Sequence, residues 1–248
     1  MLILTIVSLF RGWQIRSTQY IREIDTDIYV TQDGSSDITS SASIIPITMQ
    51  KQIEEIDGVT AVNRFIGRPL QFKIKDRDVN AYLVGYDTEK KIAGPRNIIQ
   101  GKAEPGKDEI VMDKVLMTNN HLSVGDYVEI FDRPFKIIGV AEGANMFVFQ
   151  FSFINQDEAK EVFKMEDLAT FFLVKTKEGE ISNVIDEINK IEGLEAMDKS
   201  EFVERNKKIL NEVFIPIISV LVLISVLVGI AVIGLTIYTA TVEKAREF

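Results

Sequence analysis

The chain has 248 residues, with 37 acidic against 28 basic side chains, no cysteine and one histidine. Lack of thiols excludes disulfides, cysteine–zinc sites and cysteine nucleophiles, and a lone imidazole excludes multi-histidine metal sites. A net charge of −9 with no basic, aromatic-interleaved stripe excludes nucleic acid as an expected partner.

Apolar residues concentrate at the two ends, whereas residues 14 to 212 read as ordinary soluble sequence, so two solvents are implied. The first ten residues, Met1–Phe10 (MLILTIVSLF), are apolar but too few to span a bilayer. Three readings stand open for them: a secretory signal peptide, a buried core segment, or the outer end of a transmembrane helix whose beginning precedes the sequence. Arg11 and Trp13 follow directly where a small-residue cleavage site belongs, which favours the third.

An internal echo organises the soluble part. Ile53 to Val62 (IEEIDGVTAV) matches Ile188 to Met197 (INKIEGLEAM), and each copy reads as a helix end followed by a strand. Gly58 and Gly193 take the post-helical position, where a left-handed backbone is needed. A strand precedes each helix, Asp27–Thr31 in the first copy and Thr170–Thr176 in the second. The expected fold is therefore α+β, a split ferredoxin-like subdomain built from a βαβ repeat.

Between the copies the sequence changes character. Gly101 to Asp108 (GKAEPGKD) nearly fits a phosphate-binding loop, but Asp108 stands where a magnesium-binding hydroxyl belongs, Pro105 removes an N–H, and a strand-like EIVM follows instead of a helix. It reads as a surface turn, with no nucleotide bound. Strands are expected at Glu109–Met112, Tyr127–Phe131 and Phe135–Val140, with a brief helix from Asp113 and a turn at Gly125. These make a small β-rich insert. His121 lies in a polar loop with no second imidazole to help it hold a ligand. Phe147, Phe149, Phe151 and Phe153 alternate and so share one face, read as core, with a partner-binding patch as the alternative. No pair of carboxylates stands out by spacing, so the sequence offers no catalytic residue, no metal site and no cofactor.

Ser200 to Glu212 reads as a stalk helix with Ser200 as its N-cap. It leads into Val213–Val242, thirty uncharged residues with Ile, Val and Leu on every helical face, which is a transmembrane helix. At ~1.5 Å per residue it reaches ~45 Å, more than the ~30 Å hydrocarbon core, so it must tilt or project. Pro216 sits near its start, where a missing N–H costs little. Ser225 and Gly229 are spaced as small-xxx-small and Gly234 follows, a candidate surface for packing against another helix. Lys and Arg flank both ends, Arg205, Lys207 and Lys208 on one side and Lys244 and Arg246 on the other, so charge does not set orientation.

The succession Gly101 with Asp108–Asp113 (DEIVMD), Leu122–Val128 (LSVGDYV) and Phe135–Val140 (FKIIGV) resembles that of the MacB/FtsX family of ABC transporter permeases, in order and over the whole chain. The resemblance implies a non-catalytic membrane subunit that couples a separate cytoplasmic ABC ATPase to an outer domain, for export, lipoprotein release or activation of a partner. It implies a second permease copy, an adaptor or hydrolase outside, and residues of about 14–205 outside the cytoplasm with Lys244 inside. Glu243, Lys244, Arg246 and Glu247 look like the start of the segment next to the ATPase. The expected organisation is residues 1–13 for the end of a first membrane helix, 14–90 with 145–199 for the split subdomain, 91–144 for the insert, 200–212 for the stalk, 213–242 for the second membrane helix and 243–248 for a cytoplasmic segment. The alternative from another class is a two-span sensor whose outer domain binds a ligand and which has no ATPase partner.

Overall fold

The computed structural model describes residues 5, 8, 12, 17–35, 38, 43–74, 77–143, 145–146 and 149–247. The expected end of a first membrane helix therefore lies, apart from three residues, outside the described part, as does Phe147. Residues Ile15–Asn206 form one compact unit, and the apolar C-terminal stretch falls in a second.

A short helix α1 (Gln19–Glu23) precedes the first copy of the echo, which runs β1 (Ile28–Gln32), β2 (Ile45–Pro46), α2 (Thr48–Glu54) and β3 (Val59–Ile74). The chain continues through β4 (Arg77–Tyr86), β5 (Asn97–Gly101), β6 (Glu109–Asp113), α3 (Lys114–Asn119), β7 (Tyr127–Ile130), β8 (Arg133–Glu142), β9 (Asn145–Met146), β10 (Phe149–Asn155) and α4 (Gln156–Phe163). After β11 (Leu168–Ala169) the second copy runs β12 (Phe171–Thr176), α5 (Ile181–Ile188) and β13 (Leu194–Asp198), and leads into α6 (Lys199–Glu247).

The two copies meet in one antiparallel layer of order β13-β1-β12-β3. Numbered along the chain within the layer, that is 4-1-3-2, the ferredoxin-like order. Alternation decides its faces. Ile28, Val30, Phe172 and Val174 point to one side and pack with Ile53 of α2 and Val184 and Ile188 of α5. Tyr29, Phe171, Leu173 and Met197 point to the other, where Tyr20 and Ile21 of α1 and Phe202 of α6 cover them.

The pairing of β3 changes partway along it. Val59–Phe65 pair with β12, and Ile66–Ile74 pair with β4. From β4 the sheet continues through β10, β6, β8 and β5, with β7 bridging β3 and β8. A second core fills this half, including Phe72, Leu83, Ile110, Val128, Phe135 and Ile137. Phe151 and Phe153 of β10 are buried on one face, and the ring of Tyr20 lies 4.3 and 5.8 Å from theirs.

Three local expectations change. The helix cap is Asp198, not Ser200: β13 runs to Asp198, and its carboxylate accepts the Glu201 N–H at 2.9 Å. The stalk and the apolar stretch form one helix, as expected, but this puts Pro216, near the start of the apolar stretch, in the interior of α6, where its missing N–H is no longer free of cost. There it leaves the Glu212 carbonyl without its helical donor, a place where a helix kinks. The β7–β8 connection is also tighter than expected, since β8 begins at Arg133 and leaves only Phe131 and Asp132 as loop.

Gly58 and Gly193 have φ of 93° and 84°. Their surroundings differ. A Cβ on Gly58 meets Glu180 Cβ at 3.0 Å and Val184 Cγ2 at 3.1 Å, while one on Gly193 meets nothing within 4 Å. In the fragment Ile15–Asn206, Gly193→Ala is expected to cost about 1 kcal/mol through backbone conformation alone. Gly58→Ala adds steric crowding and is expected to cost roughly 2 kcal/mol or more. Urea unfolding of both variants checks this, and equal costs would remove the distinction.

Candidate functional site

The first turns of α6 are built into the Ile15–Asn206 unit. Lys199 donates its backbone N–H to Asp27 O at 3.0 Å and its ammonium to Ile24 O at 2.6 Å. Burial holds the Lys199 pKa below its ordinary value. Beside it Lys175 pairs with Asp25 at 2.7 Å and Asp27 at 3.3 Å. The hydrogen bond to Lys175 pulls the Asp25 carboxyl down. One turn further, Phe202 is fully buried and stacks on Tyr29 with ring centroids 4.1 Å apart. Arg205 reaches Glu195 of β13 at 2.5 Å and Glu201 at 2.7 Å. Asn206, also buried, accepts the Ile38 N–H at 3.0 Å and donates to Phe202 O at 2.7 Å. Sequence reading missed Lys199, Phe202 and Asn206. Apolar Phe202 and Val203 inside a charged run were the available signal.

Further along α6, Phe214–Val242 is a 29-residue segment of mean hydropathy 3.0 whose most apolar window is not buried at all. By length and composition it can cross a membrane. Hydroxyls in it bond back to the preceding turn, Ser225 to Leu221 O, Thr236 to Val232 O and Thr241 to Ile237 O, each at 2.8 Å. That satisfies them without water. Ser225 and Gly229 share one face, one turn apart. Gly234, five residues on at about 100° per residue, points roughly 140° away from Gly229. Glu243, Lys244, Arg246 and Glu247 lie on the final turns of the helix, with Lys244 exposed.

The motif residues around β5 to β8 are explained by strand contacts. Gly101 and Gly139 face each other in the β5–β8 pair. A Cβ on Gly101 sits 2.1 Å from Ile138 O, and one on Gly139 sits 2.0 Å from Lys102 O, so neither site admits a side chain. Gly125, with φ of 103°, donates its N–H to Ile137 O at 2.8 Å, and Asp126 accepts the Ser123 N–H at 2.8 Å. His121 is exposed in its loop with φ of 52°.

The loop that imitates a phosphate site binds its own carboxylates. Gly106 N–H donates to Glu109 and Asp108 N–H donates to Glu158, both at 2.8 Å. The Asp108 carboxylate pairs with Arg133 at 2.8 Å, and Arg133 also meets Glu158 at 3.0 Å and Glu161 at 3.3 Å. Arg133 lies 5.4 Å from the Phe135 ring centroid, and the Asp108 hydrogen bond leads the effects that raise its pKa. Three acids on one cation leave a surplus of negative charge. Among the described residues no group of three or more acidic or imidazole side chains is placed to hold a metal ion.

Burial raises the Glu158 pKa above the usual carboxylate value, in spite of Arg133. The folded state therefore binds that proton more tightly than the unfolded chain does. Its contribution to stability is complete below the unfolded pKa and is lost as pH rises through the folded pKa. Glu158→Gln keeps an acceptor for Asp108 and cannot titrate. As pH falls from 7 to about 4.5, the stability difference is expected to shift toward the wild-type chain, read by urea unfolding at the two pH values. A difference independent of pH would show that Glu158 is not strained as a carboxylate.

The description "MacB-like periplasmic core domain" matches residues 1–191. No curated protein matches the chain significantly in sequence. The fold is shared with the periplasmic region of MacB from Actinobacillus actinomycetemcomitans, at 12% identity and a TM-score of 0.51 over 75% of this chain and 95% of that one. It is shared also with the extracellular domain of the noncanonic ABC-type transporter YknZ from Gram-positive bacteria, at 14% identity and a TM-score of 0.50 over 70% of this chain and 100% of that one. The chain therefore belongs to the family of MacB-like periplasmic core domains, the outer domains of ABC transporter permeases.

Proposed function

We propose that this chain is the permease subunit, or part of it, of a MacB/FtsX-type transporter, in which α6 carries movement between a cytoplasmic ATPase and the outer unit. The observation that supports this most is the root of α6. A helix meant only to anchor a domain needs no more than a tether, yet Phe202, Val203 and Asn206 are sunk into the unit's core and bonded there. Between Lys199 and Glu212 the helix has no Pro or Gly to bend it, so displacement of this stretch acts on β1 and β13 rather than being absorbed in a loop, while Pro216 beyond it is a point where the helix can bend. The work done outside is export, lipoprotein release or activation of a partner protein. ATP hydrolysis belongs to the separate ATPase.

In this reading the protein sits in the cell (cytoplasmic) membrane, with residues of about 14–205 outside the cytoplasm. The ATPase sits near Glu243, Lys244, Arg246 and Glu247, and a second permease copy packs at the Ser225–Gly229 face or at Gly234. The chain has no native cysteine, so single cysteines report topology without background. A cysteine at position 121 is expected to react with an impermeant maleimide in intact cells, and one at 244 only after lysis. The reverse pattern would overturn the orientation.

Coupling is tested by inserting Gly-Gly-Ser into α6. Asn206 is buried and bonded, so the insertion goes after Lys208, which is exposed. In the complete permease with its ATPase, assembly and ATP hydrolysis are expected to persist while the outer domain's work is lost, by at least tenfold. Full transport or activation with the insertion in place would show that α6 is not the route.

A further inference from the structure

A strand at the edge of a sheet presents N–H and C=O groups that another chain can pair with, and folded proteins blunt such edges. Among the described residues the main strand order ends at β13 and β5, and Val59–Phe65 of β3 have no strand on the side away from β12. At β13, Gly193 O accepts the Asp33 N–H and Lys199 N–H donates to Asp27 O, both at 3.0 Å. Odd-numbered residues therefore address β1, and the even-numbered ones turn their backbone groups outward. The outward Leu194 N–H donates to Ile191 O at 3.2 Å. The outward Ala196 donates its N–H to Asn189 Oδ1 at 2.7 Å, and its carbonyl accepts from Asn189 Nδ2 at 3.4 Å. A carboxamide carries the donor and acceptor of a peptide unit, so Asn189, at the end of α5, fills the place that a neighbouring strand would take.

The open side of β3 is closed in the same way. Its Val62 carbonyl accepts from the Gln50 carboxamide of α2 at 3.4 Å, and its Arg64 carbonyl from that of Gln156 in α4 at 3.0 Å. In the echo Glu54 stands where Asn189 does, and the strand that follows it is closed by Gln50 instead. Different residues thus reach one end in the two copies. At the far edge, the pairing of β5 with β8 shifts register between Ile98 and Gln100, and such a bulge spoils an edge as a template.

We propose that Asn189, with Gln50 and Gln156 on the opposite side, keeps the ferredoxin-like layer from taking a strand from a second copy of this chain. A second copy is the strand donor at issue, because a segment able to cross a membrane confines copies to one plane and raises their effective concentration. Copies can then meet and part, which a shared sheet would prevent. The proposal does not rest on the coupling reading, since the bonds that carry it lie within the Ile15–Asn206 unit.

The test uses the full chain in phosphatidylcholine vesicles. Because the chain has no cysteine, Glu192→Cys, at an exposed position just before β13, takes a single nitroxide whose dipolar spectrum reads distances between copies. Asn189 has φ of −67° and ψ of −9°, a conformation that alanine adopts without strain, so Asn189→Ala is expected to fold. It is expected to speed amide exchange across Leu194–Asp198 by about tenfold or more, and to add a short distance between copies that the parent chain lacks. Asn189→Asp keeps an acceptor for the Ala196 N–H and sets a charge on the edge, so it is expected to keep the parent spectrum. The proposal fails if alanine leaves exchange unchanged. It fails also if exchange rises with no new distance, which would make the Asn189 bonds a purely local support, or if the aspartate variant gives the same new distance as the alanine one.

Discussion

One strand holds the Ile15–Asn206 unit together. β3 is 16 residues long, and its first half pairs with β12 while its second half pairs with β4. Because side chains alternate along a strand, a slip of one residue in either pairing turns the apolar positions of that half outward. Phe65 on one side of the changeover and Ile66 on the other are both buried, in different clusters. The register of the ferredoxin-like layer and that of the remaining sheet are thus constrained through the same backbone. Arg64, just before the changeover, uses its guanidinium to bind the carbonyls of Met165 and Leu168, and its own carbonyl accepts from Gln156 at 3.0 Å, which ties the start of α4 and the segment after it to the same point.

Two electrostatic clusters serve different ends around this frame. Near the root of α6, Lys175 and Lys199 meet Asp25, Asp27 and the Ile24 carbonyl, so charge and acceptors are matched where helix and sheet join. Around Arg133 the balance tips the other way, with three carboxylates on one cation and Glu158 only 8% exposed. That arrangement tolerates a proton. It also argues against an anion at the glycine-bearing loop 101–108, where the amides of Gly106 and Asp108 already face carboxylates and a phosphate would meet like charge.

Local pattern alone determined the apolar stretch Val213–Val242, the positive φ of the glycines that stand just before β3 and β13, and the period-two strands. Each depends only on neighbours within a turn or two, which is the range over which hydrophobic period and backbone preference act. The tertiary structure decided the rest. Asp198 became the cap because β13 runs that far, pairing with β1 across more than 160 residues of sequence. Pro216 became an interior residue because α6 does not break at the edge of its apolar part. Arg133 found Asp108 and Glu158 each 25 residues away, and Lys199 found Ile24 at a separation of 175. No local pattern encodes such partners, since which polar groups meet is settled only when the strands between them have paired and their faces have been chosen.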